Sequence, residues 1–311
     1  MKHRSRSRHY SPLRRLLTGL VRSRDPRPLG LLLLAAAAPA FAQQRTVETH
    51  SISDPEGSLI GYYSALLVFA PDGAPAPGKP WTVDLTANLG YVPPLSYDQR
   101  TAGRDKPEAT NLTTVFGYPK VTLWLPYDIG IEAAYTPSVA VNGATPSVYS
   151  FAAEMLVSTV STVRIVPRLT YTGGYVEGPI TCNKALATSG NLSFEVYYAQ
   201  VCNSMESQDR LEPDQWTLEV NGTGSLAHGA LLPFVNIGVV QYHSTFDIRV
   251  QSSTGTVADH PILKMNATEG YGTFGATWVV SRIVRFGGAL FWAPGSVFTG
   301  RLSATLRLNG K

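Results

Sequence analysis

The sequence predicts an all-β chain: an antiparallel transmembrane β-barrel of about ten strands, with a short amphipathic helix near the N-terminus. Three observations predict it. Apolar and polar residues alternate strictly over repeated runs of about ten residues. An aromatic residue stands at each end of the cleanest run. The connections between runs are tight and long by turns.

The first 42 residues are set apart. Lys2, Arg4, Arg6, Arg8, Arg14, Arg15, Arg22, Arg24 and Arg27 form a basic leader, Leu29 to Ala38 is apolar, and Ala40-Phe41-Ala42 is a small-x-small cleavage pattern. These are the marks of a secretory signal peptide, too short in its apolar part to span a bilayer. Cleavage after Ala42 is expected. Val21 to Ala42 alone forms an ordinary signal, so mapping the precursor's N-terminus tests where translation starts. Without the leader, 26 Lys+Arg fall to 17 and 22 Asp+Glu fall to 21, a net charge of −4 instead of +4. The basic balance belongs to the leader and gives no argument for nucleic-acid binding.

Residues 43–79 read as a periplasmic N-terminal segment. Leu59, Ile60, Tyr63, Leu66 and Leu67 recur at helical spacing after Asp54 and Glu56, predicting a helix that plugs the barrel or lies at its periplasmic rim; a first strand is the competing reading. Ala70 to Pro80 is rich in proline and glycine and breaks regular structure.

The barrel is expected over 80–311. In its first strand Trp81, Val83, Leu85, Ala87, Leu89 and Tyr91 share one face, and Thr82, Asp84, Thr86, Asn88 and Gly90 the other. Ten steps of about 3.3 Å at a tilt of about 40° give a height near 25 Å. The hairpin Lys120–Thr136 repeats the pattern around a turn at Tyr127-Asp128. Further runs lie near 147–159, 163–175, 214–226, 231–250, 267–280, 285–293 and 297–308. Connections at 127, 160–162, 227–230 and 281–284 are tight, whereas 92–118, 138–146, 176–213 and 251–266 are long and polar; only 294–296, the last of that second set, is short. A hairpin hidden in 176–213 would raise the count, so eight to twelve strands stay open.

Over residues 80–308 this pattern resembles Gram-negative outer-membrane β-barrel proteins, small porin-like barrels among them. The resemblance implies an outer-membrane location, contact with outer-membrane lipid and insertion by the barrel-assembly machinery. Such barrels end in an aromatic residue, whereas this chain ends Leu308-Asn309-Gly310-Lys311.

Lumen-lining charges are expected at Asp84, Glu132, Glu154, Arg164, Arg168, Glu219, Arg301 and Arg307, with Glu154 facing Arg168 and the last strand closing beside Asp84. An aromatic girdle is expected at Trp81, Tyr91, Tyr135, Tyr171, Trp216 and Trp292. Cys182 and Cys202, the two cysteines, are expected to form a disulfide across the long loop that also holds Tyr197 and Tyr198. The mixed signs leave two readings of the interior: a filling held by ion pairs, or a narrow channel.

No cofactor, metal cluster, phosphate loop or Gly-x-Ser-x-Gly pattern is read, and no enzyme is expected. The function expected is a narrow channel or passive transporter for a small-molecule solute. A closed structural or surface-binding barrel acting through its loops is the alternative. His243, Asp247, Asp259 and His260 sit at the outer rim, so a rim hydrolase is a distant third.

Overall fold

The structure, a computed structural model, describes residues 45–101, 113–141, 143–184, 206–250, 261–293, 295 and 297–309. The expected signal peptide, Cys202, Tyr197, Tyr198, Asp259 and His260 lie outside the described residues.

Its elements in order are β1 (Val47–His50), α1 (Pro55–Leu66), β2 (Val83–Tyr91), β3 (Val115–Leu125), β4 (Ile129–Thr136), β5 (Thr145–Met155), β6 (Ser158–Val160), β7 (Val163–Gly178), β8 (Asp209–Glu212), β9 (Gln215–Thr223), β10 (Leu231–Asp247), β11 (Ile262–Val279), β12 (Val284–Ala293) and β13 (Val297–Leu308). Ten of these strands close a ring in the order β2-β3-β4-β5-β7-β9-β10-β11-β12-β13, and β13 returns to β2. All ten pair antiparallel with their neighbours. The ring closes on itself, so its strands find partners on both sides within a medium that offers none, except at the long-loop ends of β3 and β4, which part beyond Lys120↔Ala134.

Three short strands are additions. β8 bridges β7 and β10 above β9, separated from it by Pro213 and Asp214. β6 pairs with the start of β7 one residue out of step with the β5–β7 register, so Leu156 and Val157 form a bulge. β1 lies parallel to the first four residues of β11.

Four tight turns, after β3, β6, β9 and β11, fall at one end, and the three-residue connection from β12 to β13 lies at the other. Tyr127 and Asp128 both have positive φ, 67° and 54°, the geometry of a type I′ hairpin turn, and Ala227-His228 repeats it at 49° and 56°. Such turns match the right-handed twist of the strands they join.

The wall is inverted relative to a water-soluble fold. Leu85, Leu89, Val121, Ile131, Phe151, Leu218, Val235, Ile237, Phe274 and Leu302 face out and are exposed, while Thr86, Asn88, Thr122, Ser150, Thr170, Thr217, Asn236 and Thr273 face in and are buried. Exposed apolar surface on this scale needs a covering, and hydrocarbon is the covering that suits a closed ring. On β10 the outward face changes from Val235, Ile237 and Val239 to Gln241, His243 and Thr245, which marks the upper edge of the band.

The N-terminal segment, expected as a periplasmic stretch with a plug or rim helix, starts at the long-loop end beside β11, forms α1 inside the barrel and then runs down the lumen to the tight-turn end at Trp81. α1 is a helix because Pro55 fits its first turn and Asp54 precedes it in an extended conformation. Its expected one-sided amphipathic character is corrected. Ile60, Tyr62, Ala65 and Leu66 are buried and Leu59, Tyr63 and Leu67 partly so, because barrel wall surrounds the helix.

Candidate functional site

The lumen is the site, and this chain's own residues occupy it. In the upper half α1 packs on Val240, Tyr242, Met265, Tyr271 and Phe291 of the wall. Ser64 Oγ and Ser244 Oγ share a hydrogen bond of 2.7 Å, and the Tyr62 hydroxyl donates to the Pro93 carbonyl.

Below the helix the chain is extended, and an extended strand without a neighbour leaves its backbone groups open. Wall side chains satisfy them. Gln215 Nε2 donates to the Leu67 carbonyl at 2.9 Å, Arg301 Nη1 to Val68 at 2.8 Å and Arg168 Nη1 to Phe69 at 2.9 Å. Ser303 Oγ donates to the Asp72 carbonyl at 2.9 Å, Arg307 to Ala76, and the Ala74 N–H donates to Thr277 Oγ1 at 2.8 Å. Gly287 lets this thread approach the wall: a Cβ there would meet the Asp72 carbonyl oxygen at 2.6 Å and Ser303 Oγ at 2.3 Å.

The inward charges form three groups. In the first, Arg168 donates to Glu132 Oε2 through Nη2 at 2.6 Å and Nε at 3.0 Å and to Glu219 through Nη1; Lys120 Nζ reaches Glu132 Oε1 at 2.8 Å. Asn236 Nδ2 at 2.7 Å and the Tyr271 hydroxyl donate to the other oxygen of Glu219. In the second, Asp84 accepts from Arg307 at 2.8 and 2.7 Å, from Arg285 at 2.7 Å and from Trp124 Nε1 at 2.9 Å. In the third, Asp72 accepts from the Tyr118 hydroxyl at 2.6 Å with Arg301 3.5 Å away, and the Arg301 guanidinium lies 4.1 Å from the Phe291 ring centre.

The expected lumen residues are thus placed as follows. Asp84, Glu132, Glu154, Arg168, Glu219 and Arg301 are buried inside, and Arg307 joins them at the tight-turn end. Glu154 is opposite Arg168 in register, yet the guanidinium turns to Glu132 on β4, one strand further on, and to Glu219 on the neighbouring β9. Arg164 is half-buried near the tight-turn end with no ion pair among the described residues. Sequence reading missed Arg285 and Asp72. Arg285 shares its parity with Ala289 and Phe291, an apolar inward face that disguises it; Asp72 sits in a stretch with no periodicity at all.

Among the aromatic residues, Trp81 stands exposed at the tight-turn end, whereas Tyr91, Tyr135, Tyr171, Trp216 and Trp292 lie on the outer wall towards the long-loop end. Tyr171 and Trp216 contact each other at 4.9 Å between ring centres. Tyr149, Trp278 and Phe298, outward on the same wall, extend these two levels. Cys182 is buried beside Val250. At the rim, Asp247 is held by Arg45 and by Arg249 Nε at 2.7 Å, and the His243 ring stands 3.4 Å from Gln241 Nε2.

Residual space inside is small. The cavity between the thread and Asp84, Glu132, Glu154 and Arg285 measures about 50 Å³, room for a few waters. An apolar cavity of about 210 Å³ lies higher, beside α1.

A closed ring of ten antiparallel strands with an apolar outer band and a polar, charged interior defines an integral β-barrel of the outer-membrane type. No protein-family model and no curated protein matches the chain. Among solved structures it is similar to the Acinetobacter baumannii outer membrane protein Omp33, at 12% identity over 74% of this chain and 100% of that one, with a TM-score of 0.31. It is also similar to the KdgM porin, at 7% identity over 72% of this chain and 98% of that one, with a TM-score of 0.28. Identities and scores this low say nothing of function, and the class stands on the barrel's own geometry.

Proposed function

We propose that the protein is a narrow outer-membrane channel for small polar solutes, held shut by residues 67–80 of its own chain. The observation that carries this reading is how the thread is fastened. Its lower part is tied to the wall through hydrogen bonds that water can replace, while apolar packing fixes α1 above it. Six backbone groups are tied in this way, at Leu67, Val68, Phe69, Asp72, Ala74 and Ala76. At roughly 1 kcal/mol each, they hold the open form to a population on the order of one in 10⁴. A pore lined by both signs of charge passes solutes by size more than by charge.

In this reading the long loops face outside, the tight turns face the periplasm, and mature protein begins near Gln43. The expected girdle residues lie at the two bilayer interfaces, and the assembly machinery reads the last strand.

Planar-bilayer recording of the refolded mature protein tests it. The intact protein should show brief, rare openings, and a variant lacking residues 45–78 a steady current. A deletion variant that migrates as a folded barrel yet carries no current would leave the second reading, a closed barrel acting through its loops. That reading draws on the same small residual cavity.

A further inference from the structure

The barrel wall is open sideways at one seam. β3 and β4 pair over six positions, from Leu125↔Ile129 up to Lys120↔Ala134. Beyond that, β3 continues to Val115 beside β2 alone and β4 to Thr136 beside β5 alone. Carried further, the same register would set Pro119 against Tyr135, Tyr118 against Thr136 and Gly117 against Pro137. Pro119 and Pro137 have no N–H to offer a ladder. Tyr118 is drawn inward by its 2.6 Å hydrogen bond to Asp72 and by the Phe69 ring, 4.4 Å away between centres. The two strands are kept apart by what they are made of.

Behind the seam lies the apolar cavity of about 210 Å³. Tyr63 and Leu67 of the plug form its inner side, and Phe116, Val139, Val176 and Leu211 belong to its surround. A dry cavity of roughly 150 Å³ takes benzene, whereas drug-sized ligands fill upwards of about 300 Å³. This space therefore suits a length of one unbranched hydrocarbon chain. The outward side chains that border the seam are Leu89, Val115, Tyr91 and Tyr135, all exposed. Aliphatic groups ending in a row of tyrosines mark the upper limit of the hydrocarbon layer, so the opening meets acyl chains at its lower end.

We infer that this cavity holds one acyl chain of a surrounding lipid, which enters sideways between β3 and β4. The site is separate from the charged lumen and does not depend on the gating reading, only on the barrel's being in a bilayer. The Pro119–Pro137 seam is its doorway, and α1 is its back wall.

Photolabelling tests the inference. The mature protein is refolded into phosphatidylcholine vesicles containing a small fraction of phosphatidylcholine with a diazirine near the end of one acyl chain, then irradiated and mapped by mass spectrometry. Adducts on Tyr63, Leu67 or Val176, which lipid cannot reach from outside, are expected. Ala144→Phe, at a buried position lining the cavity, should lower them at least fivefold. In Gly117→Cys/Pro137→Cys the oxidised pair should lower them similarly, and reduction should restore them, while reduction leaves labelling of the unsubstituted protein unchanged. Adducts confined to outward residues such as Leu89 and Phe298 would overturn the binding site. Interior labelling that the closed seam does not alter would overturn the sideways entry.

Discussion

Arg168 is the side chain whose loss the fold should feel most. It is 4% exposed and donates to Glu132, Glu219 and the Phe69 carbonyl at once. Arg168→Ala leaves Glu132 with Lys120, and Glu219 with Asn236 and Tyr271, so neither carboxylate is stripped of partners. It does leave the buried group, with Glu154 beside it, short of one positive charge, and it leaves the Phe69 carbonyl without its donor. Removing one member of a buried ion pair costs about 3–5 kcal/mol. With a urea slope near 3 kcal/mol per molar, typical of larger proteins, the midpoint should fall by about 1–2 M. Urea titration of the vesicle-inserted protein, read by tryptophan fluorescence and by gel migration, measures it. Arg164→Ala is the comparison: half-buried and with no ion pair among the described residues, it should move stability by less than about 0.5 kcal/mol. If Arg168→Ala shifted the midpoint no more than Arg164→Ala, the interior ion pairs would not be what holds the barrel.

The remaining expectations concern the plug. Gly287→Ala adds one methyl where the Asp72 carbonyl approaches the wall, so it should raise single-channel open time without changing any charge; unchanged gating would show that the thread does not rest there. Ser64→Ala strands the buried Ser244 hydroxyl and should cost about 1–3 kcal/mol, with Ser64→Ala/Ser244→Ala recovering part of that in a double-mutant cycle. Asp247, above the membrane band, fastens the start of the N-terminal segment through Arg45. Burial opposes its charge, but hydrogen bonds from Arg45 and Arg249 prevail and hold the carboxyl below the usual aspartate range. Its contribution is therefore complete above that range and is lost as pH falls through the lower folded value. Pepsin should cut near Arg45 increasingly between about pH 4 and pH 2, and Asp247→Asn should remove that pH dependence.

The wall was legible because each strand separates two media. Leu85 and Thr86 differ in what they touch, so adjacent positions differ in polarity and the period survives in the sequence. The facing of Glu154 and Arg168 followed from a tight turn alone, and the closure beside Asp84 from the even strand count. The plug was not legible. Residues 68–75 are buried on almost every side rather than on one face, so they carry no period, and their partners lie up to 233 positions away, as for Val68 and Arg301. Helical spacing showed that α1 would be a helix, but nothing in it says which end of the barrel the helix occupies. That is decided by which wall positions are apolar: Val240, Tyr242, Met265 and Phe291 all lie in the upper half.

A chain that passes through its own ring fixes the order in which it is made. The thread leads at Thr82 directly into β2, and the far side of β2 is covered by β13, the last of the ring's strands in chain order, over eight residue pairs from Arg301↔Gly90 to Leu308↔Val83. Once that seam is zipped, β1 and α1 would have to be dragged through a space that admits a few waters. The N-terminal segment must therefore be laid down first, with the sheet wrapped round it and the final strand shutting the ring behind it. The last hydrogen bonds made in biogenesis are the ones that make the first residues impossible to withdraw.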